Sequence, residues 1–296
     1  MKEKILISTG GSGGHVIPAT TIYDHLKKEY DIVISSDLRG LKYLNSDTYK
    51  VFVVDTPRLN KSILLPFSTL KVFFLTLRCL FLLKREKIQI LISTGGYMSL
   101  PLCFAAKMLN IKIFLLEPNM VIGRANKFFL NFCEKIFCYS EKIKNFPNKF
   151  SNKIITIKTL LRKEFYLTRP SEDISNKINL LIIGGSQGAK LFDTIIDESI
   201  IKLSQRYKLK IYQQTSFKNY KSLKHFYQKN KIENELFDFD ENISSYISKA
   251  NLCITRAGAS TLAELVFLNV PHIVIPLPTA KDNHQFENAT YYNNLG

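Results

Sequence analysis

Six side chains with chemistry to offer share one setting. Ser12, His15, Tyr97, Ser186, Ser260 and Thr261 each lie in or just after a glycine-bearing turn that follows a short apolar run. Such a turn lets bare backbone N–H groups approach a ligand. The helix that follows adds roughly half a positive charge at its N-terminus, so the setting suits an anion. His15 comes directly after Gly10-Gly11-Ser12-Gly13-Gly14. A helix end opposes protonation of imidazole, so His15 reads either as a neutral proton acceptor or as a capping and packing residue. Glu117 and Glu264 are the other candidate bases. Glu264 falls about one helical turn after Ala259-Ser260-Thr261, where a carboxylate can accept two ribose hydroxyls. It also reads as an acid favoured by the helix dipole.

These residues need strands and helices to hold them, and the pattern supplies both. Lys4 to Ile7, Asp31 to Ser35, Lys50 to Val54, Ile88 to Ser93, Lys112 to Leu116 and Lys135 to Tyr139 read as strands, with helical segments between them. Residues 159–177 turn polar around Thr168-Arg169-Pro170-Ser171-Glu172-Asp173 and read as a linker. The pattern then restarts with Asn179 to Ile183, Gly184-Gly185-Ser186-Gln187-Gly188-Ala189 and a helix, followed by strands near 208–214 and 234–239, then Asn251 to Thr255 and His272 to Leu277. Short buried strands alternating with helices predict α/β architecture with parallel sheets. We expect two Rossmann-like domains, 1–160 and 161–296, facing a central cleft. Their glycine loops fall at the carboxyl ends of strands, where such sheets bind ligands.

The formal net charge is +16, from 41 Lys+Arg against 25 Asp+Glu in 296 residues. This points to anionic partners without fixing a fold. No clustered nucleic-acid reader motif accompanies it, so a nucleic-acid partner is not expected. The five cysteines show no CxxC pair and no metal spacing, which fits free thiols in a reducing compartment. No secretory apolar segment opens the chain. Ile63 to Leu83 is mostly Leu, Phe and Val and about as long as a membrane span. Lys71 and Arg78 inside it, each costing about 2.5–3.5 kcal/mol at a bilayer centre, argue against spanning. With Lys84, Arg85 and Lys87, the 63–87 segment reads as an interfacial helix or as a domain helix with one solvated stripe.

Neither opening loop matches GxGxxG, and no Walker lysine follows any of them. The motifs taken together resemble the MurG family of N-acetylglucosamine transferases. They are GGSGGHVIPA at 10–19, GGYMSLP at 95–101, EPN at 117–119, GGSQGA at 184–189, RAGASTLAEL at 256–265 and KDNHQFENA at 281–289. The resemblance runs through nearly the whole chain. It implies a GT-B enzyme that moves GlcNAc, with inversion, from UDP-GlcNAc to the 4-hydroxyl of undecaprenyl-diphospho-MurNAc-pentapeptide (lipid I). The reaction would take place on the cytoplasmic face of the bacterial inner membrane, where the enzyme is peripheral. Other cell-wall synthesis proteins are implied partners.

By motif match the second domain would hold the donor. Glu264 would take the ribose hydroxyls, Ser186 with Ala259, Ser260 and Thr261 the diphosphate, and Gln285 the sugar hydroxyls. Backbone near Asp240 would contact uracil. Arg162 matches an arginine just after the first domain. Ser12, Gly13, Gly14 and Asn119 are also implied to reach the donor, and Gly13, Gly14, His15 and Tyr97 the acceptor's diphosphate. His15 is the first choice of general base and Glu117 the second. Helix N-termini and backbone N–H groups can stabilise the departing UDP, so no essential metal or cofactor is expected.

Three departures from the family pattern stand out. Lys158-Thr159-Leu160-Leu161 replaces a Gly-Asn-Pro turn before Arg162, and Pro118 replaces a polar residue. The resemblance also implies a second domain continuing for roughly fifty to seventy residues beyond Gly296. The alternatives are another GT-B enzyme (a different lipid-linked sugar transferase or a UDP-GlcNAc epimerase) and a non-catalytic membrane subunit that binds UDP-sugar.

Overall fold

Apolar strands buried on both faces set the architecture of each half. A computed structural model describes residues 2–57, 65–169, 177–184, 192–238 and 242–295. The chain divides into two compact units, 1–160 and 161–296.

The first unit runs β1 (Lys4–Ser8), α1 (Gly13–Leu26), β2 (Asp31–Ser36), β3 (Val51–Val53), α2 (Leu65–Arg85), β4 (Ile90–Ser93), α3 (Leu100–Met108), β5 (Lys112–Glu117), α4 (Arg124–Phe129), β6 (Lys135–Cys138) and β7 (Ile154–Thr156). Its seven strands form one parallel sheet in the order β3-β2-β1-β4-β5-β6-β7. Ile5, Ile7, Ile32 and Ile92 pack with Ala19 and Ile22 of α1 on one face. Leu6, Val33 and Leu91, which alternate with them, are also buried. A sheet covered on both faces needs near-continuous apolar strands, which these sequences supply. The order reverses between β1 and β4, so the crevice at their carboxyl ends is the topological switch point.

One side of α2 anchors it to this unit. Val72, Thr76, Cys79 and Leu83, spaced three or four apart, are buried. The other side carries Phe67, Leu70, Phe73, Phe74 and Phe81, all more than half exposed. Pro66–Arg85 is long and apolar enough to cross a membrane by length and composition, with mean hydropathy 1.6 over its most apolar window. The buried face makes it a helix of the domain with an apolar side to spare. Lys71, Arg78 and Arg85 recur at intervals of seven along it.

The second unit runs α5 (Lys163–Leu167), β8 (Lys177–Ile183), α6 (Phe192–Ile195), α7 (Asp197–Ser204), β9 (Lys208–Gln214), α8 (Phe217–Lys229), β10 (Glu233–Phe237), α9 (Ile243–Lys249), β11 (Leu252–Thr255), α10 (Ala259–Phe267), β12 (His272–Val274) and α11 (His284–Asn293). The parallel order is β10-β9-β8-β11-β12. Along β8, Leu181 and Ile183 join one core while Leu180 and Ile182 join the other. Burying each such side chain contributes about 1.5–3 kcal/mol.

Part of the predicted linker is corrected here. Leu161 and Phe165 are 2% and 0% exposed and belong to the second unit's core, so 161–167 is a docked segment. The polar Thr168-Arg169 pair obscured the two apolar residues, four apart, just before it. Residues 170–176 lie outside the described residues. All five cysteines are free and buried. Desolvation pushes the thiols of Cys79, Cys103 and Cys138 up to about 12, so they stay protonated and inert.

Candidate active site

In the first unit the loops after β1, β2 and β4 converge at the switch point. Gly11 has φ +77°, and a Cβ there would stand 2.6 Å from Met98 Cε. Gly96 has φ +83°, and its Cβ would stand 2.3 Å from Met98 Sδ and 3.3 Å from His15 Nε2. The positive φ at both points is a backbone that other residues rarely adopt and glycine takes without strain. His15, in the first turn of α1, donates Nδ1–H to the Thr94 carbonyl over 2.8 Å. A carbonyl only accepts, so this bond fixes the tautomer and places the neutral ring's lone pair on Nε2. That nitrogen faces the second glycine loop. Ser12 precedes α1 as its N-cap, its side chain makes no cap bond, and the first turn carries no acid. Tyr97 follows Gly96, and the Arg39 guanidinium lies 5.1 Å from the centre of its ring.

Glu117 ends β5, 3% exposed. Its Oε1 accepts from the Asn119 backbone N–H (3.3 Å) and from Asn119 Nδ2 (3.0 Å). Its Oε2 accepts from the Gly123 N–H (2.7 Å) and Asn126 Nδ2 (3.0 Å). Four donors on one carboxylate make it a clamp for the loop between β5 and α4. Asn126 extends the clamp, since its Nδ2 lies 3.2 Å from where a Cβ on Gly95 would stand.

Three participants escaped the sequence reading. Asp37, 1% exposed, and Arg39 follow β2 and reach the loop after β1. The signal was present: Asp37-Leu38-Arg39-Gly40 sits at a strand's carboxyl end, where the other loops were sought. Asn126 was missed because its partner lies nine residues away across a loop.

In the second unit, Glu264 of α10 is 4% exposed. Arg162 donates Nε (3.0 Å) and Nη2 (2.9 Å) to Glu264 Oε1. Burial holds the Glu264 carboxyl above the usual carboxylate range, against the pull of Arg162. Gly258 caps α10, so Ala259, Ser260 and Thr261 form its first turn, one turn before Glu264. Gln285 Oε1 accepts from the Leu277 N–H over 2.8 Å. Asn288 donates to the Ala257 carbonyl over 3.0 Å, tying α11 to the turn before α10. Arg256, buried beside them, donates to the Ile275 and Pro276 carbonyls at 2.9 and 3.2 Å. Ser186 and Asp240 lie outside the described residues. Among the described residues no group of three or more His, Cys, Asp or Glu side chains is arranged to hold a metal ion.

Two parallel Rossmann-like units with ligand loops at the strand ends define a GT-B fold. Residues 5–138 match the glycosyltransferase family 28 N-terminal domain, and residues 179–296 match the family's C-terminal domain. Over its whole length the chain is 56% identical to the UDP-N-acetylglucosamine–N-acetylmuramyl-(pentapeptide) pyrophosphoryl-undecaprenol N-acetylglucosamine transferase of Pelagibacter ubique (strain HTCC1062), covering 83% of that protein. The crystal structure of Acinetobacter baumannii MurG superposes with a TM-score of 0.75 at 22% identity, covering 100% of this chain and 84% of that one. The UDP-GlcNAc 2-epimerase of Neisseria meningitidis, bound to UDP-GlcNAc, superposes at 0.63 with 15% identity, covering 99% of this chain and 90% of that one. Likenesses at 22% and 15% establish the fold; the 56% relative establishes the family. The chain belongs to the MurG family of glycosyltransferases.

Proposed function

We propose that this protein transfers GlcNAc from UDP-GlcNAc to the 4-hydroxyl of undecaprenyl-diphospho-MurNAc-pentapeptide, converting lipid I to lipid II in peptidoglycan synthesis. The observation that carries the mechanism is the Nδ1–H bond of His15 to Thr94. It fixes the tautomer whose lone pair sits on Nε2, beside the second glycine loop, and we assign the proton to that nitrogen. In the transfer, the acceptor O4 attacks C1 of GlcNAc from the face opposite UDP. The C1–O bond to the β-phosphate breaks, the C1–O4 bond forms with inversion, and the O4 proton passes to His15 Nε2.

Other residues position. Glu117, with four donors on its two oxygens, holds the loop carrying Asn119. The uncapped first turn of α1 favours the acceptor's diphosphate, with Gly13, Gly14 and Tyr97 beside it. On the second unit, Glu264 accepts the donor's ribose hydroxyls, and the first turn of α10 (Ala259, Ser260, Thr261) faces the UDP diphosphate. Arg162 aims Glu264. Gln285, its oxygen tied to Leu277, offers its amide N–H groups to the sugar. Ser186 and the backbone near Asp240 complete the donor site. By motif match Ser12 and Asn119 are also assigned to the donor.

The exposed apolar side of α2, with Lys71, Arg78, Lys84 and Arg85, rests on the anionic inner face of the membrane that holds the acceptor. The epimerase alternative shares only the fold, while the transferase relative shares more than half of the sequence. Incubation with labelled UDP-GlcNAc and a short-chain lipid I analogue tests the reading. A β-linked disaccharide product is expected; free GlcNAc isomers, or no product together with intact UDP binding, would overturn it.

A further inference from the structure

We propose that Arg39 binds the acceptor's diphosphate. The inference rests on the reading that the first unit takes a lipid-linked diphosphate. β2 lies beside β1, in register from Lys4 opposite Asp31 to Ser8 opposite Ser35, so the loops leaving the two strands emerge side by side. Asp37 fastens them together. Its Oδ1 accepts from the Gly11 N–H at 2.7 Å and the Gly40 N–H at 2.9 Å. Its Oδ2 accepts from Arg39 Nε at 3.0 Å and Nη2 at 2.7 Å.

The buried carboxylate thus occupies one edge of the guanidinium. A guanidinium carries five N–H groups in a fixed plane. Among the described residues, Asp37 is the partner recorded for two of its nitrogens, Nε and Nη2, while the side chain keeps 37% exposure. The second edge, Nη1 and the outer N–H of Nη2, forms a fork that suits a phosphate held by two hydrogen bonds. A ring packs against it as well. The guanidinium lies over the Tyr97 ring at 5.1 Å, and Nη2 is 3.3 Å from where a Cβ on Gly11 would stand. A cation already immobilised beside the glycine loop loses little freedom on binding. A diphosphate offers this loop more charge and more acceptor oxygens than a monophosphate does. It can engage Arg39 and the first-turn N–H groups of α1 together.

If Arg39 served only to pin the loops, any side chain that donates to Asp37 would replace it. Arg39→Gln makes that distinction, keeping a donor and removing the charge and the fork. The test is calorimetric titration of wild type, Arg39→Gln and Arg39→Lys with farnesyl diphosphate and farnesyl monophosphate, with UDP as the control on the second unit. Wild type should prefer the diphosphate about tenfold or more. Arg39→Gln should lose on the order of 10–100-fold of diphosphate affinity, with the monophosphate and UDP changed less than about threefold and the preference collapsed. Arg39→Lys, with the charge and no fork, should recover part of the loss. An undiminished preference in Arg39→Gln, or an equal loss for both farnesyl probes, would overturn the proposal and leave Arg39 a loop pin. Wild type binding neither probe would instead remove the acceptor reading on which it rests.

Discussion

At the scale of single residues, what a side chain is spent on decides its role. Glu117 and His15 both read as bases in sequence, because residue type and loop position were visible there. What was hidden is that both oxygens of Glu117 are taken by Asn119, Gly123 and Asn126, while His15 gives Nδ1–H to Thr94, which puts its acceptor lone pair on Nε2. Bonds across a loop follow from folding and leave no spacing to read. The Arg162–Glu264 pair, 102 residues apart, was hidden for the same reason. Breaking a buried ion pair from one side leaves a charge without a partner, at a cost of roughly 3–5 kcal/mol. With Arg162 still 14% exposed, Arg162→Ala should cost about 3 kcal/mol in urea unfolding at neutral pH. Adding Glu264→Gln should recover part of that. The sign of the pH effect is fixed. The Glu264 carboxyl titrates above its unfolded value, so the folded state holds the proton more tightly. The Arg162→Ala deficit should therefore shrink as pH falls toward the ordinary glutamate range. A deficit unchanged by acid would contradict this account of the pair.

At the scale of elements, α2 buries one face in its unit and leaves a second apolar face exposed. Its length and composition were legible, as were its cations at intervals of seven. Which face packs was not, because both are apolar. The buried stripe through Cys79 and Leu83 leaves Phe73 and Phe81 outward. Phe73→Ser/Phe81→Ser should reduce binding to vesicles with anionic headgroups by about tenfold or more, at roughly 0.8 kcal/mol per buried CH₂. Arg78→Ala should weaken it by up to about fivefold, for about 1 kcal/mol per cation. Both variants should melt close to wild type. Equal binding of wild type to neutral vesicles would contradict the electrostatic half of this reading.

The same helix hands over to Glu86, which lies between Lys4 and Lys50 at 3.0 Å each. Hydrogen bonds from Lys4, then Lys50, hold its carboxyl down at about 2. A depressed carboxylate stabilises above its unfolded value, and that stability is lost as pH falls toward the folded one. Glu86→Gln should cost about 1–2 kcal/mol at pH 7, after discounting for exposed Lys50. It should also flatten the stability loss between about pH 4.5 and 2. An acid limb as steep as that of wild type would show that the cluster carries no linkage.

At the scale of the whole molecule, the restart of strand, glycine loop and helix at Asn179 made two units readable, because each half repeats one pattern. The edge strand Ile154–Thr156 was not readable at three residues. Nor was Phe217–Lys229, a polar helix that buries little beyond Leu223 and Tyr227. The Leu161–Leu167 segment misled because its anchors sit beside linker-like residues. With acceptor and donor assigned to different units, variants in each should fail differently. Glu264→Ala should raise the donor KM on the order of 10–100-fold. The most direct test of the central claim compares steady-state GlcNAc transfer to a short-chain lipid I analogue by wild type and His15→Ala. Turnover in His15→Ala should fall on the order of 10²–10⁴-fold with the donor KM within about twofold. Turnover within about threefold of wild type would contradict His15 as the base.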